Sequence, residues 1–449
     1  MLRTITPAAA FLAACLLPGL APALEAAPPE LEAAVKGELP ELVNLYQELH
    51  RHPELSFHEQ ATAARLAAEL RRLGYSVTEQ VGRYERPGLT SYGFVGVLEN
   101  GPGPVVLLRT DLDALPVPEN TGAPYASRDV GRDDAGREVP VMHACGHDVH
   151  MTTFLGTARL LARWRDRWSG TLVLVGQPAE ERGAGARAML ADGLYERFPK
   201  PNYALAWHVA AELAAGRVAY CPGYALASVD SVDIEIFGRG GHGAYPHRTR
   251  DPIVMAAQTV VGLQTIVSRQ VSPLDSAVVT VGSIHGGTKH NIIPDRVHLQ
   301  LTVRSYQPEV RTLVLDSIRR IAEGIAAAAD APRPPEVAVD EMEHVPATYN
   351  DPELTERIAD VFRRTLGEGR VVQTPPVMGG EDFSHYRQEG IQAAIFWLGA
   401  AAPEAVAASR AQGTPLPSLH SSEFLPDAPR AVRTGVTAMT AALLELLRP

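Results

Sequence analysis

Basic residues are too few in this sequence for a nucleic-acid-binding surface. Lysine and arginine number 41 against 52 aspartate and glutamate residues, which gives a formal net charge of −11, and no long basic run occurs. We therefore expect no partner with a phosphate backbone. The hydrophobic fraction of 45% and the charged fraction of 21% lie near the averages for soluble globular proteins, so neither a disordered chain nor a membrane bundle is expected.

Internal repeats and low-complexity tracts are also lacking, apart from an Ala/Pro-rich stretch near residues 21–35 that is typical of a linker. A repeat architecture is therefore not expected. The chain of 449 residues is longer than one hydrophobic core usually serves. Its length predicts at least two domains.

Residues 1–26 have the pattern of a secretory signal peptide. Arg3 supplies a short positive region, "PAAAFLAACLLPGL" is apolar, and "APA" at 21–23 offers small residues for cleavage. A membrane anchor would need about 20 uninterrupted apolar residues, and prolines interrupt this stretch. The pattern predicts export to the periplasm or secretion, with lipoprotein attachment at Cys15 of "LAAC" as an alternative.

Cysteine is scarce, with three residues in the whole chain. Cleavage of the signal would leave Cys145 and Cys221 in an oxidising compartment, where a disulfide between them is one interpretation. Two cysteines alone do not decide between a disulfide and another role.

Short apolar runs bounded by turn residues predict buried strands at 104–110, 171–176, 203–207 and 393–399. Between the first two runs, apolar residues of 151–168 recur at helical spacing. Buried strands that alternate with amphipathic helices predict an α/β fold with a mostly parallel central sheet and helices on both faces.

A different pattern begins near residue 226. Alternating strands and helical segments follow in the order β-α-β-β-α-β, which is the order of a ferredoxin-like α+β domain. We therefore predict that an inserted domain at 226–345 interrupts a main domain formed by 30–225 and 346–449.

Polar clusters follow the predicted strands, and ligand sites of open parallel sheets lie at that edge. The densest is "HACGHDVH" at 143–150. Its thiol and imidazole, together with a carboxylate and two imidazoles from other clusters, form a set of metal-ligand types: Cys145, His147, Glu181, His208 and His420. Five ligands exceed one tetrahedral site, so the set suits two divalent ions that share a water or hydroxide.

Neighbouring polar residues suit other tasks. Glu180, beside Glu181, would be free to act as a base. His143, Asp148 and His150 are interpreted as partners that orient the ligands. For any one of these residues, a polar loop or a structural histidine stays an alternative, and it is the convergence of several clusters that favours a metal site.

The ordered motifs of residues 40–449 resemble the cysteine-containing amidohydrolases of the aminoacylase/carboxypeptidase family, which include hippurate hydrolase and the plant hydrolases of indoleacetyl-amino acid conjugates. The resemblance is carried by "LHRHPELSFHE", "LLRTDLDALPV", "MHACGHDVHMT", "QPAEERGAGARAML", "WHV", "GRGGHGAYPH", "DPI", "NIIPD" and "LHSSEFLPD". It implies a dinuclear catalytic domain interrupted by a lid and dimerisation domain, and hence a homodimer.

The resemblance also implies roles. It assigns the metal-ligand role to the five residues named above and the role of general base to Glu180. His242 would polarise the scissile carbonyl, often across a dimer, and Asn291 and Arg304 would hold the α-carboxylate of the substrate. A lid-surface turn and a solvated strand arginine stay the alternatives for Asn291 and Arg304. Asp113 is interpreted as a buttress and not as a ligand.

The expected function is therefore metal-dependent hydrolysis of N-acyl or N-aroyl amino acids. A dipeptidase that uses the same metal centre, a non-catalytic binding protein on the same scaffold and a disulfide-stabilised structural protein are the alternatives. Zinc or manganese is the expected metal, and cobalt or nickel can substitute. The chain departs from the family pattern at Gly380, where serine or alanine is commoner, and in its long segments before residue 94 and at 126–141.

Overall fold

A computed structural model of the protein describes residues 29–448. The predicted signal peptide, residues 1–26, and Cys15 lie outside the described residues. Within 29–448, no helix has the length and apolar character needed to cross a membrane.

The first part of the chain supplies nine strands and five helices. The strands are β1 (Ser76–Glu79), β2 (Phe94–Asn100), β3 (Val105–Asp111), β4 (Val130–Arg132), β5 (Glu138–Pro140), β6 (Gly170–Gln177), β7 (Tyr203–Ala214), β8 (Val218–Tyr220) and β9 (Gly223–Leu226). The helices are α1 (Pro29–Arg51), α2 (Gln60–Arg72), α3 (His147–Arg163), α4 (Gly185–Ala191) and α5 (Leu194–Arg197).

The middle part contains the segment predicted to be ferredoxin-like. Its elements are β10 (Ser228–Phe237), β11 (Gly241–His242), α6 (Pro252–Thr265), β12 (Ala277–Gly286), β13 (Ile292–Ile293), β14 (Arg296–Ser305), α7 (Pro308–Ala328) and β15 (Glu336–Val339). The last part supplies β16 (Thr348–Asn350), α8 (Pro352–Leu366), β17 (Val371–Gln373), β18 (Gln392–Ala401), α9 (Pro403–Gln412) and α10 (Ala428–Leu446).

The large sheet has eight strands in the order β1-β2-β6-β3-β7-β18-β8-β17. Its four central strands, β6, β3, β7 and β18, pair in parallel, and antiparallel pairs occur toward both edges. These four strands are the apolar runs that the sequence predicts to be buried. The prediction of an α/β fold with a mostly parallel central sheet is confirmed.

Both faces of this sheet are covered, because successive side chains of a strand point to opposite faces. Leu108 of β3 packs with α1, α3, α8 and α10 in one hydrophobic cluster. Its neighbour Leu107 packs with residues of α4 and α5 in a second cluster on the other face. A strand buried on both sides reads as a continuous apolar run, which is why the sequence pattern identified it.

The inserted sheet has the order β12-β14-β10-β15, and its neighbouring strands are antiparallel. In β10, Val232, Ile234 and Ile236 are buried and alternate with partly exposed residues, so one face of the sheet packs against α6 and α7. The β-α-β-β-α-β order is confirmed. The exact domain boundaries stay predictions, although β9 and β16 pair beside them.

Aspartates followed by proline mark the start of several helices. The side chains of Asp251 and Asp351 accept hydrogen bonds from the Ile253 and Leu354 backbone N–H groups, at the starts of α6 and α8. These bonds satisfy N–H groups that have no partner inside the helix, and the proline that follows is already restricted to a helical φ.

Candidate active site

A cleft of about 750 Å³ lies between the main sheet and the inserted domain, beside the carboxyl end of β6 and the second half of β7. This is the edge at which open parallel sheets place their ligands. The polar residues that line it include Cys145, Glu180, Glu181, His208, Ser231, Arg304, Glu381, Asp382 and His420.

The ligand residues predicted from the sequence form two groups that share Cys145. Potential ligand atoms of Cys145, His147 and His208 lie within 4.8 Å of one another, and those of Cys145, Glu181 and His420 form a second such group. The Cys145 Sγ lies 3.6 Å from Nε2 of His208. The structure therefore brings all five predicted ligands together around one thiol.

Local geometry places this thiol at the start of α3. Gly146 adopts a left-handed conformation, with φ of 77°, and a Cβ at that position would lie 2.6 Å from Cγ2 of Val209. Only glycine fits this turn without displacing its neighbour. The backbone N–H of His420 donates to the Ala144 carbonyl at 2.9 Å, which holds the loop of "HSSEF" beside the turn.

Two imidazoles are oriented by backbone carbonyls. Nδ1 of His147 donates to the Asp113 carbonyl oxygen at 2.8 Å, and Nδ1 of His208 donates to the Val209 carbonyl at 2.8 Å. In the neutral ring, each bond places the proton on Nδ1, so Nε2 carries the lone pair that can bind a metal. Such partners are typical of histidines that bind metals.

Two buried atoms in this cluster lack hydrogen-bond partners within the described residues: Nε2 of His147 and Oε1 of Glu181. An unsatisfied buried polar atom costs about 1–3 kcal/mol. Burial also raises the pKa of Glu181 to about 7, and burial together with Glu181 and Glu180 raises the pKa of the Cys145 thiol. Cations between these groups would satisfy the free atoms and favour the charged carboxylate and thiolate, so the residues fit divalent metal ions.

Glu180 is placed to carry a proton. Its carboxyl group lines the cleft, and Oε2 lies 3.8 Å from Nε2 of His147. Burial, and then the carboxylates of Glu381 and Glu181, raise its pKa well above the ordinary value. A carboxylate with a raised pKa accepts and returns protons near neutral pH.

Asp113 supports the turn that carries both glutamates. Its Oδ1 accepts from the Glu180 backbone N–H at 3.2 Å, and its Oδ2 accepts from the Glu181 N–H at 3.0 Å. The side chain of Asp113 is fully buried. Asp113 therefore binds the backbone of both glutamates, which agrees with its interpretation as a buttress and not as a metal ligand.

A buried ionic cluster below the cleft was missed by sequence reasoning. The Arg109 guanidinium donates to Asp111 at 2.8 Å, to Glu381 at 2.9 Å and to Asp382 at 3.1 Å. Gln177 accepts from Arg109 at 2.9 Å and donates to Asp382 at 2.7 Å. The available signal was an arginine inside an otherwise apolar strand, since a buried cation needs acidic partners.

The three residues interpreted as orienting partners differ in their contacts. Nδ1 of His150 donates to Asp111 at 2.8 Å, and its Nε2 accepts from the Val209 N–H at 2.8 Å, so neither nitrogen is free for a metal. Asp148 accepts from His50 at 2.7 Å, away from the cleft. The buried ring of His143 has no hydrogen-bond partner among residues 29–448.

The inserted domain contributes Arg304 to the cleft, but it places His242 and Asn291 elsewhere. His242 lies in β11 and is paired with Ile292 of β13, and the Gly243 N–H donates to the Asn291 carbonyl. His242 and Asn291 are thus neighbours on an exposed two-stranded sheet formed by β11 and β13. Within one chain, they do not meet the predicted ligands.

Both Cys145 and Cys221 are free thiols. The Cys221 Sγ lies 3.4 Å from the Tyr224 carbonyl oxygen, and Cys145 contacts His208. The alternative of a disulfide between them is therefore wrong.

Comparisons with known proteins agree with this geometry. The model of peptidase family M20/M25/M40 matches residues 107–421. Hippurate hydrolase of Campylobacter jejuni is 38% identical over 357 residues, 78% of this chain and 87% of the relative. The N-acetylcysteine deacetylase of Bacillus subtilis is 36% identical over 358 residues, 80% of this chain and 88% of the relative.

Among solved structures, a Bacillus subtilis protein described as a dinuclear metal-binding peptidase of the M20 family is similar, with a TM-score of 0.73 and 30% identity. The match covers 92% of this chain and 99% of that chain. The similarity therefore extends through both the main sheet and the inserted domain.

Proposed function

The chain belongs to peptidase family M20/M25/M40 and is a metal-dependent amidohydrolase, and we propose that it cleaves N-acyl or N-aroyl amino acids into a carboxylic acid and an amino acid. The observation that carries this proposal is the pair of ligand groups that share Cys145 at the floor of a cleft. The relatives named above, by their names, act on N-acyl amino acids.

Cys145, His147, Glu181, His208 and His420 would hold two divalent ions. Such ions polarise an amide carbonyl and lower the pKa of a water molecule. Thiolate, imidazole and carboxylate ligands together suit zinc, and manganese, cobalt or nickel can substitute. We propose zinc or manganese as the resident metal.

Glu180 would move the proton in this reaction. Its carboxylate takes a proton from the attacking water and then gives that proton to the nitrogen of the leaving amino acid. Burial and the nearby Glu381 and Glu181 raise the pKa of Glu180, which favours the protonated form that the leaving amine needs as its proton donor. The backbone bonds to Asp113 hold the turn from which Glu180 projects.

Arg304 would bind the carboxylate of the substrate. Its guanidinium lines the cleft opposite the ligand cluster, and Nε donates to the Thr302 hydroxyl at 3.1 Å. No carboxylate pairs with Arg304 among residues 29–448, and burial lowers its pKa. A half-buried guanidinium without an acidic partner favours an anionic ligand.

His242 and Asn291 would act from a second copy of the chain. The two-stranded sheet that carries them is exposed and lies outside the cleft of its own chain. In a symmetric dimer, this sheet of each subunit would face the cleft of the other. We therefore propose a homodimer in which His242 polarises the scissile carbonyl and Asn291 contacts the substrate carboxylate of the neighbouring site.

We also infer that the protein is exported to the periplasm or secreted. The pattern of residues 1–26, with Arg3, an apolar stretch and small residues at 21–23, supports this inference. Separation of cell fractions, followed by N-terminal sequencing of the mature protein, tests it.

A panel of substrates tests the proposed function. N-acetyl, N-benzoyl and indoleacetyl amino acids are compared with their carboxamide analogues and with several dipeptides, on the metal-loaded protein. Faster hydrolysis of the acyl-amino acids than of their carboxamides is expected, because Arg304 would bind the substrate carboxylate. Dipeptides also carry this carboxylate, so faster hydrolysis of the acyl-amino acids than of the dipeptides tests the proposed acyl group. Preferential turnover of dipeptides would instead identify a dipeptidase, and equal turnover of the carboxamides would contradict the role of Arg304.

A further inference from the structure

Glu59 lies at a position where a glutamate is ordinarily exposed. It is the residue before α2, but its side chain makes no capping bond to that helix and is fully buried. A buried carboxyl group is costly unless it accepts hydrogen bonds. The hydrogen bonds that its carboxyl group accepts therefore indicate the role of the buried side chain.

The carboxyl group of Glu59 bonds to backbone on both sides of the cleft floor. Its Oε1 accepts from the Phe57 N–H at 3.0 Å and from the Ala179 N–H at 2.8 Å. Ala179 lies 120 residues further along the chain and directly precedes Glu180. The long-range bond is therefore made to the turn that carries the proton-transferring residue.

This turn has a backbone conformation that needs support. Ala179 has φ of 50° and ψ of 43°, which is the left-handed region. Phe57, the other donor to Glu59, has φ of 71°. A residue with a Cβ adopts this region at a cost of about 1 kcal/mol or more and does so when its surroundings hold it there.

Two buried carboxyl groups together accept three successive N–H groups. Glu59 accepts from Ala179, and Asp113 accepts from Glu180 and Glu181. The bonds to Asp113 begin at Glu180, so the N–H group of the strained residue depends on Glu59, while its carbonyl group accepts from the Ala184 and Gly185 N–H groups at 3.2 Å. Removal of the Glu59 side chain would leave the Ala179 N–H without this acceptor. The left-handed turn would then lose the hydrogen bond that connects it to Glu59.

We propose that Glu59 is a positioning residue for hydrolysis: through Ala179 it holds the turn that aims the Glu180 carboxylate into the cleft. This inference rests on the proposed role of Glu180. Glu59 itself does not line the cleft, so it acts through the backbone and not on the substrate. The role needs an acceptor oxygen at Oε1 and not a negative charge, and burial beside Asp113 raises the pKa of Glu59 to about 8.

The first test compares Glu59→Ala, Glu59→Gln and Glu54→Ala. Glu54 is a matched control, because its carboxylate also accepts two backbone N–H groups, those of Ala61 and Thr62, but at the start of α2. For Glu59→Ala we expect kcat to fall by about 100-fold while KM changes by less than about threefold, since a small misplacement of a catalytic group lowers the rate strongly. Glu59→Gln keeps an acceptor oxygen and should retain kcat within about threefold.

A simple loss of stability predicts a different pattern. In that case Glu59→Ala and Glu54→Ala would lower the melting temperature alike, and kcat of the folded fraction would stay at the wild-type value in both. That result would overturn the proposal, as would inactivity of Glu59→Gln. Activity of Glu54→Ala close to wild type, with a lower melting temperature, is expected.

A second variant keeps the test valid if Glu59→Ala folds poorly. Glycine adopts the left-handed region without steric cost, so Ala179→Gly in the Glu59→Ala background should recover kcat by at least about threefold. Absence of any recovery in a folded double variant would contradict a role exerted through Ala179.

Hydrogen exchange separates this proposal from the role of Glu180. In the metal-free protein, the amides of Ala179, Glu180 and Glu181 should exchange at least about tenfold faster in Glu59→Ala than in wild type or Glu54→Ala. Faster exchange without a change in kcat would show that Glu59 holds the turn but that Glu180 is not the proton carrier. Unchanged exchange would show that the Glu59–Ala179 hydrogen bond does not hold the turn, which would overturn the proposal.

Discussion

The Sγ of Cys145 and Nε2 of His208 lie 3.6 Å apart at the floor of the cleft. Because Nδ1 of His208 donates to the Val209 carbonyl, its Nε2 presents a lone pair to the thiol and not a proton. A thiol beside a free imidazole nitrogen and the carboxyl group of Glu181 combines three ligand types that suit a divalent metal ion. This relationship supports the metal-binding role of Cys145, which stays a prediction.

Replacement of Cys145 by serine should impair the metal centre. A serine hydroxyl is a much weaker ligand than a thiolate, and Cys145 belongs to both ligand groups. We expect fewer than two metal ions per chain after dialysis against metal-free buffer, and hydrolysis slower by at least about 100-fold. Mass spectrometry of metals and initial rates measure both.

Cys221→Ser is the matched control for this experiment. Cys221 is also a buried free thiol, but its Sγ contacts the Tyr224 carbonyl and lies in the second core cluster. It should keep both metal ions and the wild-type rate. Full metal content in Cys145→Ser would contradict the assignment of Cys145.

Gly380 should determine how closely the inserted domain approaches the cleft floor. A Cβ there would lie 2.2 Å from Cγ2 of Val229 and 3.3 Å from Nη1 of Arg304. Gly380→Ser should therefore displace Arg304 and raise KM for N-acyl amino acids by about tenfold, with a smaller effect on kcat. The measurement is steady-state kinetics on one N-acyl amino acid.

The neighbouring glycine provides the control. A Cβ on Gly379 would make only an ordinary contact, 3.7 Å from Cδ2 of Leu226, so Gly379→Ala should leave KM unchanged. Adding Val229→Ala to Gly380→Ser removes the clash and should restore part of the affinity. An unchanged KM in Gly380→Ser would show that the clash is relieved elsewhere.

His50 should make stability depend on pH. Its Nδ1 lies 2.7 Å from Asp148 and its Nε2 lies 3.0 Å from Glu119, while Tyr46 and Tyr125 pack against the ring. Burial alone would lower the pKa of His50, but the bonds to Asp148 and Glu119 raise it to about 9. The imidazolium form therefore stabilises the fold below about pH 6.5, and this contribution is lost as the pH rises toward 9.

The difference in free energy of unfolding between wild type and His50→Gln measures this contribution. It should shrink by roughly 3 kcal/mol as the pH rises from about 6 to about 10. His52→Gln is the control, because His52 lies 2.9 Å from Asp129 on the exposed surface. A difference that stays constant with pH would contradict an ionised His50.

Mixed dimers test the proposed action of His242 across subunits. In a dimer of one Glu180→Gln chain and one His242→Ala chain, a single site combines an intact Glu180 with the partner's intact histidine. Each variant alone should be nearly inactive, and an equal mixture after subunit exchange should regain about a quarter of the wild-type activity.

Absence of activity in the mixed dimers would contradict this prediction. If His242 acts within its own chain, both sites of the mixed dimer carry a defect and no activity returns. Native mass spectrometry of the mixture, with a mass tag on one of the two variants, confirms that exchange took place.

Local patterns predicted much of the fold. The four central strands of the large sheet are continuous apolar runs, and the polar clusters that follow them converge because parallel strands end at one edge. The five predicted ligands, from Cys145 to His420, therefore lie together in the structure. The metal identity and the residue roles stay predictions.

Long-range contacts could not be predicted in this way. Glu59 precedes a helix, where local rules favour an exposed or capping side chain, and only the folded chain shows its bond to Ala179. Asp111 lies two residues after Arg109 on the same face of β3, but the other partners of Arg109 come from 381–382, which no local pattern relates to it. The role of His242 across a dimer interface stays a prediction, because its position relative to a neighbouring cleft depends on a second chain.

The central claim is that two metal ions and Glu180 together hydrolyse the amide bond. Its most direct test measures metal content and N-acyl amino acid hydrolysis in wild type and in Glu180→Gln. We predict about two metal ions per chain in both proteins, activity in wild type, and a rate at least about 100-fold lower in the variant. Wild-type activity that persists after the metals are removed, or a Glu180→Gln variant as fast as wild type, would contradict the claim.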